Sequence, residues 1–161
     1  MATSVLAQGH VVIANDPQGR PSGCGTALMC RTPDWCHHGL VGLTLLIVDD
    51  HAGFRSSARA LLEAEGFDVV GEAGTGLSAV AQVDRLDPDV VLLDIALPDI
   101  DGFEVCARIS QRGTTKPAVV FTSTRDAEAF RQRLATSAAR GFIPKSNLTG
   151  AALAFLAAGS S

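Results

Sequence analysis

The chain has no tyrosine, a single tryptophan and only 5% aromatic residues among 161 positions. Its apolar mass is therefore alanine, valine and leucine, side chains suited to helices packed closely on a sheet. It also lacks an excess of positive charge. Thirteen Lys and Arg face seventeen Asp and Glu, a net charge of −4, so no basic surface points to nucleic-acid binding. No apolar run approaches the roughly 20 residues needed to cross a bilayer, and no membrane span is expected. The opening Met1-Ala2-Thr3-Ser4-Val5-Leu6 has no basic n-region, which argues against a secretory signal. Cys24, Cys30, Cys36 and Cys106 make no disulfide framework in a chain long enough for one full core. A reducing cytoplasm is the expected compartment.

Residues 1–41 differ in kind from the rest of the chain. They hold Gly9, Gly19, Gly23, Gly25, Gly39, Pro17, Pro21 and Pro33, with three of the four cysteines and three of the four histidines. Only Val11-Val12-Ile13-Ala14 has the composition to order, and Asp16-Pro17 stops it. A disordered N-terminal extension is expected, or sequence upstream of the functional start. Cys24, Cys30, Cys36, His37 and His38 raise the question of zinc. Five residues separate successive cysteines, unlike the two to four of usual zinc pairs, so ordered zinc is not expected.

From Leu43 onward, strand and helix patterns alternate. A strand over Leu43–Val48 precedes a helical stripe of Phe54, Ala58, Leu61 and Leu62, which Gly66 ends. Phe67–Val70 is the next strand. Gly74-Thr75-Gly76 opens a helix with Leu77, Val80 and Ala81, closed by Asp87-Pro88. A strand runs to Asp94, then a loop Ile95–Asp101 and a short helix with Phe103, Cys106 and Ala107. Cys106 reads as core. Strands ending at Thr122 and Pro144 come next, each with a helix after it. Five strands alternating with five helices imply an α/β fold, a parallel sheet wrapped on both faces.

The chemistry lies at the strand ends. Asp49-Asp50 ends the run Leu45-Leu46-Ile47-Val48, and Asp94 ends Val90-Val91-Leu92-Leu93. Thr122 ends Ala118-Val119-Val120-Phe121, and Lys145 comes directly after Gly141-Phe142-Ile143-Pro144. The carboxyl edge of an open parallel sheet is where such folds bind ligands. Three carboxylates there repel one another unless a cation or a proton enters. Three acids, a hydroxyl and an amine suggest magnesium-assisted phosphoryl chemistry on a carboxylate. His51 reads as a loop residue rather than a ligand, because magnesium prefers oxygen. Thr122 alone could be satisfying backbone, Lys145 could simply pair with Asp94, and Phe142 could be a core aromatic.

Four segments in order resemble the receiver domain of two-component response regulators. They are Leu46-Ile47-Val48-Asp49-Asp50-His51, Val91–Gly102 with its Asp94-Ile95-Ala96-Leu97-Pro98 core, Phe121-Thr122-Ser123 and Gly141-Phe142-Ile143-Pro144-Lys145. The Pro-Lys-Ser ending is most similar to receivers of the nitrate-regulator class. The resemblance covers about residues 43–158, giving a receiver domain over 42–158 and a tail at 159–161. It implies a flavodoxin-like, doubly wound five-stranded sheet in the order 2-1-3-4-5. It further implies that Asp94 accepts a phosphoryl group from a sensor histidine kinase or a phosphotransfer protein. By the same resemblance, Mg2+ is held by Asp49, Asp50, Asp94 and the Ala96 carbonyl. Lys145 and Thr122 would contact phosphoryl oxygens, and Phe142 would be the aromatic that switches with Thr122. Such a domain is a signalling acceptor, not an enzyme acting on other substrates.

Output is expected through protein contacts. The last helix is read as burying Leu148, Ala151, Ala152, Phe155 and Leu156, which leaves Leu153, Ala154 and Ala157 outside. That apolar face, rimmed by Arg131 and Arg133 on the Phe142 side of the sheet, would dock a second copy or an effector. The chain stops at Ser161 with no helix-turn-helix, so no direct DNA contact is expected. The alternatives are an unphosphorylated receiver-fold interaction module and the receiver part of a truncated DNA-binding regulator. A flavin carrier is disfavoured by the acids after the first strand, and an aspartate phosphatase by Ala96, where a second acid is usual.

Overall fold

The computed structural model describes residues 4–6, 10–12, 42–112 and 117–159. In chain order the elements are β1 (Ser4–Leu6), β2 (His10–Val12), β3 (Thr44–Val48), α1 (Ala52–Ala64), β4 (Asp68–Ala73) and α2 (Gly76–Leu86). Then come β5 (Val90–Asp94), α3 (Gly102–Ser110), β6 (Ala118–Ser123), α4 (Arg131–Thr136), β7 (Gly141–Pro144) and α5 (Gly150–Ala158). Short 3-10 turns at Ala127–Phe130 and Lys145–Asn147 lead into α4 and precede α5.

The sheet runs β1-β2-β7-β6-β5-β3-β4. Its last five strands are parallel, and in their own order of appearance they read 2-1-3-4-5, as the sequence implied. Two strands exceed that expectation. β2 pairs parallel with β7, and β1 pairs antiparallel with β2. An edge strand offers unpaired backbone groups, and β7 is the edge of the five-stranded core. The Val11-Val12 segment singled out in the sequence lies in β2. Apart from β1 and β2, residues 1–41, including the candidate zinc residues Cys24, Cys30, Cys36, His37 and His38, lie outside the described residues.

Strands β3 and β5 are buried on both faces, because helices cover both sides of a parallel sheet. Residue parity along the strands divides the core in two. Leu45, Ile47, Leu92, Val120 and Ile143 face α1 and α5, packing with Ala58, Leu62, Leu153 and Leu156. Leu46, Val48, Val91, Leu93, Phe121 and Phe142 face α2, α3 and α4, packing with Ala79, Val83, Phe103, Cys106 and Leu134. Helix α1 ends where expected. Gly66 sits at φ +100°, the Gly66 N–H donates to Glu63 O and the Phe67 N–H donates to Leu62 O. This pair of bonds is the Schellman pattern, which favours glycine at that position.

The helix faces differ from the sequence reading in places: Leu61 of α1 is 38% exposed and Ala107 of α3 is exposed, and α2 and α5 differ further. On α2, Ala79 and Val83 are buried whereas Ala81 is exposed and Leu77 is 54% exposed. On α5 the face is rotated in part: Leu156 is buried and Leu148 and Ala152 pack on the same core, as expected, but Leu153 and Ala154 are buried too, while Ala151 is exposed and Phe155 is 40% exposed. Leu153 is thus core, not part of an outer docking surface. The nine residues of α5 include no polar side chain, so the composition carries no contrast to set the helix's rotation. Moreover, α5 lies on the sheet face opposite Phe142 and α4. Arg131 and Arg133 therefore do not rim it. Arg131 pairs with Glu128 at 2.6 Å, and Arg133 with Asp101 at 2.5 Å.

Candidate functional site

The candidate site is built at the carboxyl ends of β3, β5, β6 and β7. In-register pairs align Val48 with Leu93, Asp94 with Thr122 and Thr122 with Ile143. One residue beyond β3 stands Asp49, and just after β7 stands Lys145. Asp49, Asp94 and Thr122 are all buried, and they are three of the four buried polar residues among those described.

Charge dominates the geometry. Lys145 Nζ is 2.5 Å from Asp49 Oδ2 and 3.2 Å from Asp94 Oδ2, so one ammonium serves two buried carboxylates. Asp94 Oδ1 also accepts from the Ala96 N–H at 3.2 Å. Burial pushes the Asp94 carboxyl above its usual range, and the neighbouring Asp49 charge adds to this; Lys145 only partly offsets them. For Lys145, burial pulls downward, but the hydrogen bond to Asp49 and the charges of Asp94 and Asp49 win, and its pKa is raised. The Lys145 ammonium also lies 4.5 Å from the centre of the Phe54 ring.

Asp50 is more open. Its Oδ1 lies 2.8 Å from His51 Nδ1, and Asp49 Oδ1 accepts from the His51 backbone N–H at 2.8 Å. Ligand atoms of Asp49, Asp50, His51 and Asp94 all fall within 4.8 Å of one another. Three carboxylates with one ammonium leave excess negative charge in a partly buried place, and hard oxygen donors dominate. These residues fit a small hard divalent cation such as magnesium. Thr122 Oγ1 is buried and has no hydrogen-bond partner among the described residues. An unmet buried hydroxyl is costly in a resting protein and useful where a ligand oxygen is to arrive.

The loop after Asp94 is held tightly. Gly102 N donates to Ile95 O at 2.9 Å, and a Cβ on Gly102 would collide with the Asp94 carbonyl. Asp101 accepts from Glu104 N at 2.9 Å, capping α3. On the sheet face covered by α2, α3 and α4, Phe142 is fully buried in the cluster that holds Phe121 and Phe103. Arg133 lies 4.0 Å over the Phe103 ring and reaches Asp101, joining α4 to this loop.

Asp49, Asp50, Asp94, Thr122 and Lys145 thus converge, with Ala96 two residues past Asp94. Leu153, Arg131 and Arg133 do not join them or one another. Sequence reasoning missed Arg55, whose Nη1 donates to the Asp49 carbonyl at 2.7 Å, and the stacking role of Phe54. It also passed over Asp99, which bonds to α2. Phe54 and Arg55 carried a faint signal, since they lie in the first turn of the helix after the acidic pair.

Comparison with known proteins bears on the family and the fold. Residues 45–154 match the family model of the response regulator receiver domain. BvgA from Bordetella pertussis is 38% identical over 101 residues, covering 63% of this chain and 48% of BvgA. The transcriptional regulatory protein TrcR from Mycobacterium tuberculosis is 35% identical over 103 residues, covering 64% of this chain and 39% of TrcR. Among solved structures, the signal receiver domain of NarL from Mycobacterium tuberculosis superposes with a TM-score of 0.67 at 30% identity. That match covers 74% of this chain and 99% of the other. The chain spans about half the length, or less, of these curated relatives. Among the described residues no helix is long and apolar enough to cross a membrane.

Proposed function

The chain belongs to the response regulator receiver family, and on that premise we propose that residues 42–158 take a phosphoryl group onto Asp94 from a sensor histidine kinase. The observation that carries this reading is the buried Asp94 carboxylate, which shares one ammonium with Asp49 at the carboxyl edge of the sheet.

In the proposed step an Asp94 carboxylate oxygen attacks the phosphorus of a phosphohistidine, or of a small acyl phosphate. The bond from phosphorus to the donor's nitrogen or oxygen breaks, its electron pair leaves with the donor, and an aspartyl phosphate remains. Bound Mg2+, held by Asp49, Asp50, Asp94 and the Ala96 carbonyl, would offset charge on the phosphoryl oxygens. Lys145 contributes a second positive charge, already 3.2 Å from the acceptor carboxylate. Thr122 supplies a hydroxyl with no other engagement among the described residues. Burial and the Asp49 charge raise the Asp94 pKa in the metal-free protein, so a cation arriving beside it would favour the ionised, nucleophilic carboxylate. Phosphorylation would draw Thr122 toward the new oxygens and vacate space near Phe142, a two-state shift read by another protein in the cytoplasm. In this reading the domain does no chemistry on other substrates, and residues 1–41 are dispensable for its labelling.

Incubation with acetyl phosphate and magnesium, and then intact mass, tests the reading. Wild type gains one phosphoryl group and Asp94→Asn gains none; equal labelling of the two would refute it.

A further inference from the structure

Asp99 lies in the loop between the acceptor strand and α3, five residues after Asp94. Its carboxylate does not face the acidic site. Oδ1 accepts from the Gly76 N–H at 2.7 Å and Oδ2 accepts from the Leu77 N–H at 2.8 Å. Both donors belong to the first turn of α2, where a helix leaves its N–H groups without internal partners. Thr75 takes the next one, accepting from Ser78 N at 3.2 Å. Asp99 thus completes the cap of a helix more than twenty residues away in sequence.

The neighbouring residue tightens the same contact. A Cβ on Gly76 would stand 2.5 Å from Ile100 Cγ1 and 2.8 Å from Val105 Cγ2. Glycine lets the loop approach the helix this closely. The loop is therefore fastened at both ends: by Asp99 and Ile100 to α2, and by the Gly102 N–H to Ile95 O. Between these anchors lies Ala96. The two backbone bonds, the one from Leu77 foremost, hold the Asp99 carboxyl down at about 2. The fastening persists across the whole neutral range.

We propose that Asp99 is a positioning residue for the cation site: by capping α2 it fixes the loop that carries Ala96, and so tunes magnesium binding without touching the ion. The proposal rests on the acceptor-site reading of Asp94. Groups that only orient a metal's ligands commonly change affinity by roughly tenfold or more when removed.

Isothermal titration of magnesium into wild type, Asp99→Ala and Asp99→Asn tests it, with amide exchange at Gly76 and Leu77 reporting the cap itself. The expected result is faster exchange in Asp99→Ala and a magnesium Kd raised roughly tenfold. Asp99→Asn keeps a carbonyl acceptor and shows a smaller rise. Acetyl phosphate labelling of Asp99→Ala should be slow at low magnesium and recover when magnesium saturates. Faster exchange or a lower melting temperature with wild-type magnesium affinity in both variants would reduce Asp99 to a helix cap and overturn the proposal. A wild-type chain that binds magnesium and labels, beside variants that do the same, overturns this proposal alone. A wild type that binds no magnesium overturns the acceptor-site reading with it.

Discussion

Lys145 Nζ lies 3.2 Å from Asp94 Oδ2, and 2.5 Å from Asp49 Oδ2 on its other side. The same ammonium compensates two carboxylates that are almost wholly removed from water. Removing it leaves both uncompensated, a change that costs on the order of 3 kcal/mol for buried pairs. Lys145→Met should lose about that much stability in urea unfolding at neutral pH without magnesium. Millimolar magnesium should restore part of the loss, because a cation bound only by the native state adds to its stability.

Asp94 itself is predicted to destabilise the resting fold. Its carboxyl is raised from 3.8 by burial first and by Asp49 second. Above pH 3.8 the native state therefore holds more protons than the unfolded chain at this group, so stability falls as pH rises. Asp94→Asn removes that slope. In magnesium-free buffer its melting temperature should equal or exceed that of wild type at neutral pH, and the gap should close as pH falls toward 3.8. Asp99 works in the opposite sense. Its stabilisation is present above 3.8 and is lost as pH falls toward 2. A melting temperature for Asp94→Asn well below wild type at neutral pH would contradict the charge analysis.

Thr122 separates stability from chemistry. Its Oγ1 is buried without a partner among the described residues, so the hydroxyl costs the resting fold on the order of 1 kcal/mol. Thr122→Val keeps the shape and the β-branch. It should unfold at equal or higher urea concentration than wild type while labelling with acetyl phosphate more slowly. Loss of stability in this variant would mean that the hydroxyl is bonded in solution.

Helix α5 offers a check on the core. Leu153 is fully buried between α5 and the Leu45 face of the sheet, whereas Phe155 is 40% exposed. Leu153→Ala should cost about 2–5 kcal/mol. Phe155→Ala, next but one along the helix, should cost much less. The reverse ranking in urea unfolding would restore the sequence-based face, with Leu153 outside.

What the sequence made legible was whatever rests on contrast between neighbouring residues. Asp94 after four apolar residues, Asp49-Asp50 after four more, and Lys145 after Gly141–Pro144 each mark a strand end, and strand ends of a parallel sheet converge. The five-strand order came from the resemblance those motifs carry. The rotation of α5 was not legible, because Leu153 and Phe155 are equally apolar and only packing distinguishes them. On α2, Leu77 looked like core, but Ile100 and Val105 press against Gly76 and leave Leu77 outside. Asp99 escaped notice for a related reason. Its partners are backbone N–H groups on a distant helix, and backbone groups leave no mark in a sequence.

The central claim, that Asp94 carries the phosphoryl group, is tested most directly by locating it. After treatment with acetyl phosphate and magnesium, borohydride reduction converts an aspartyl phosphate to homoserine, and peptide mass mapping finds the position. Homoserine at position 94, absent when magnesium is withheld, is the predicted result. Homoserine at 49 or 50, or at no position although the intact mass has risen, would contradict it.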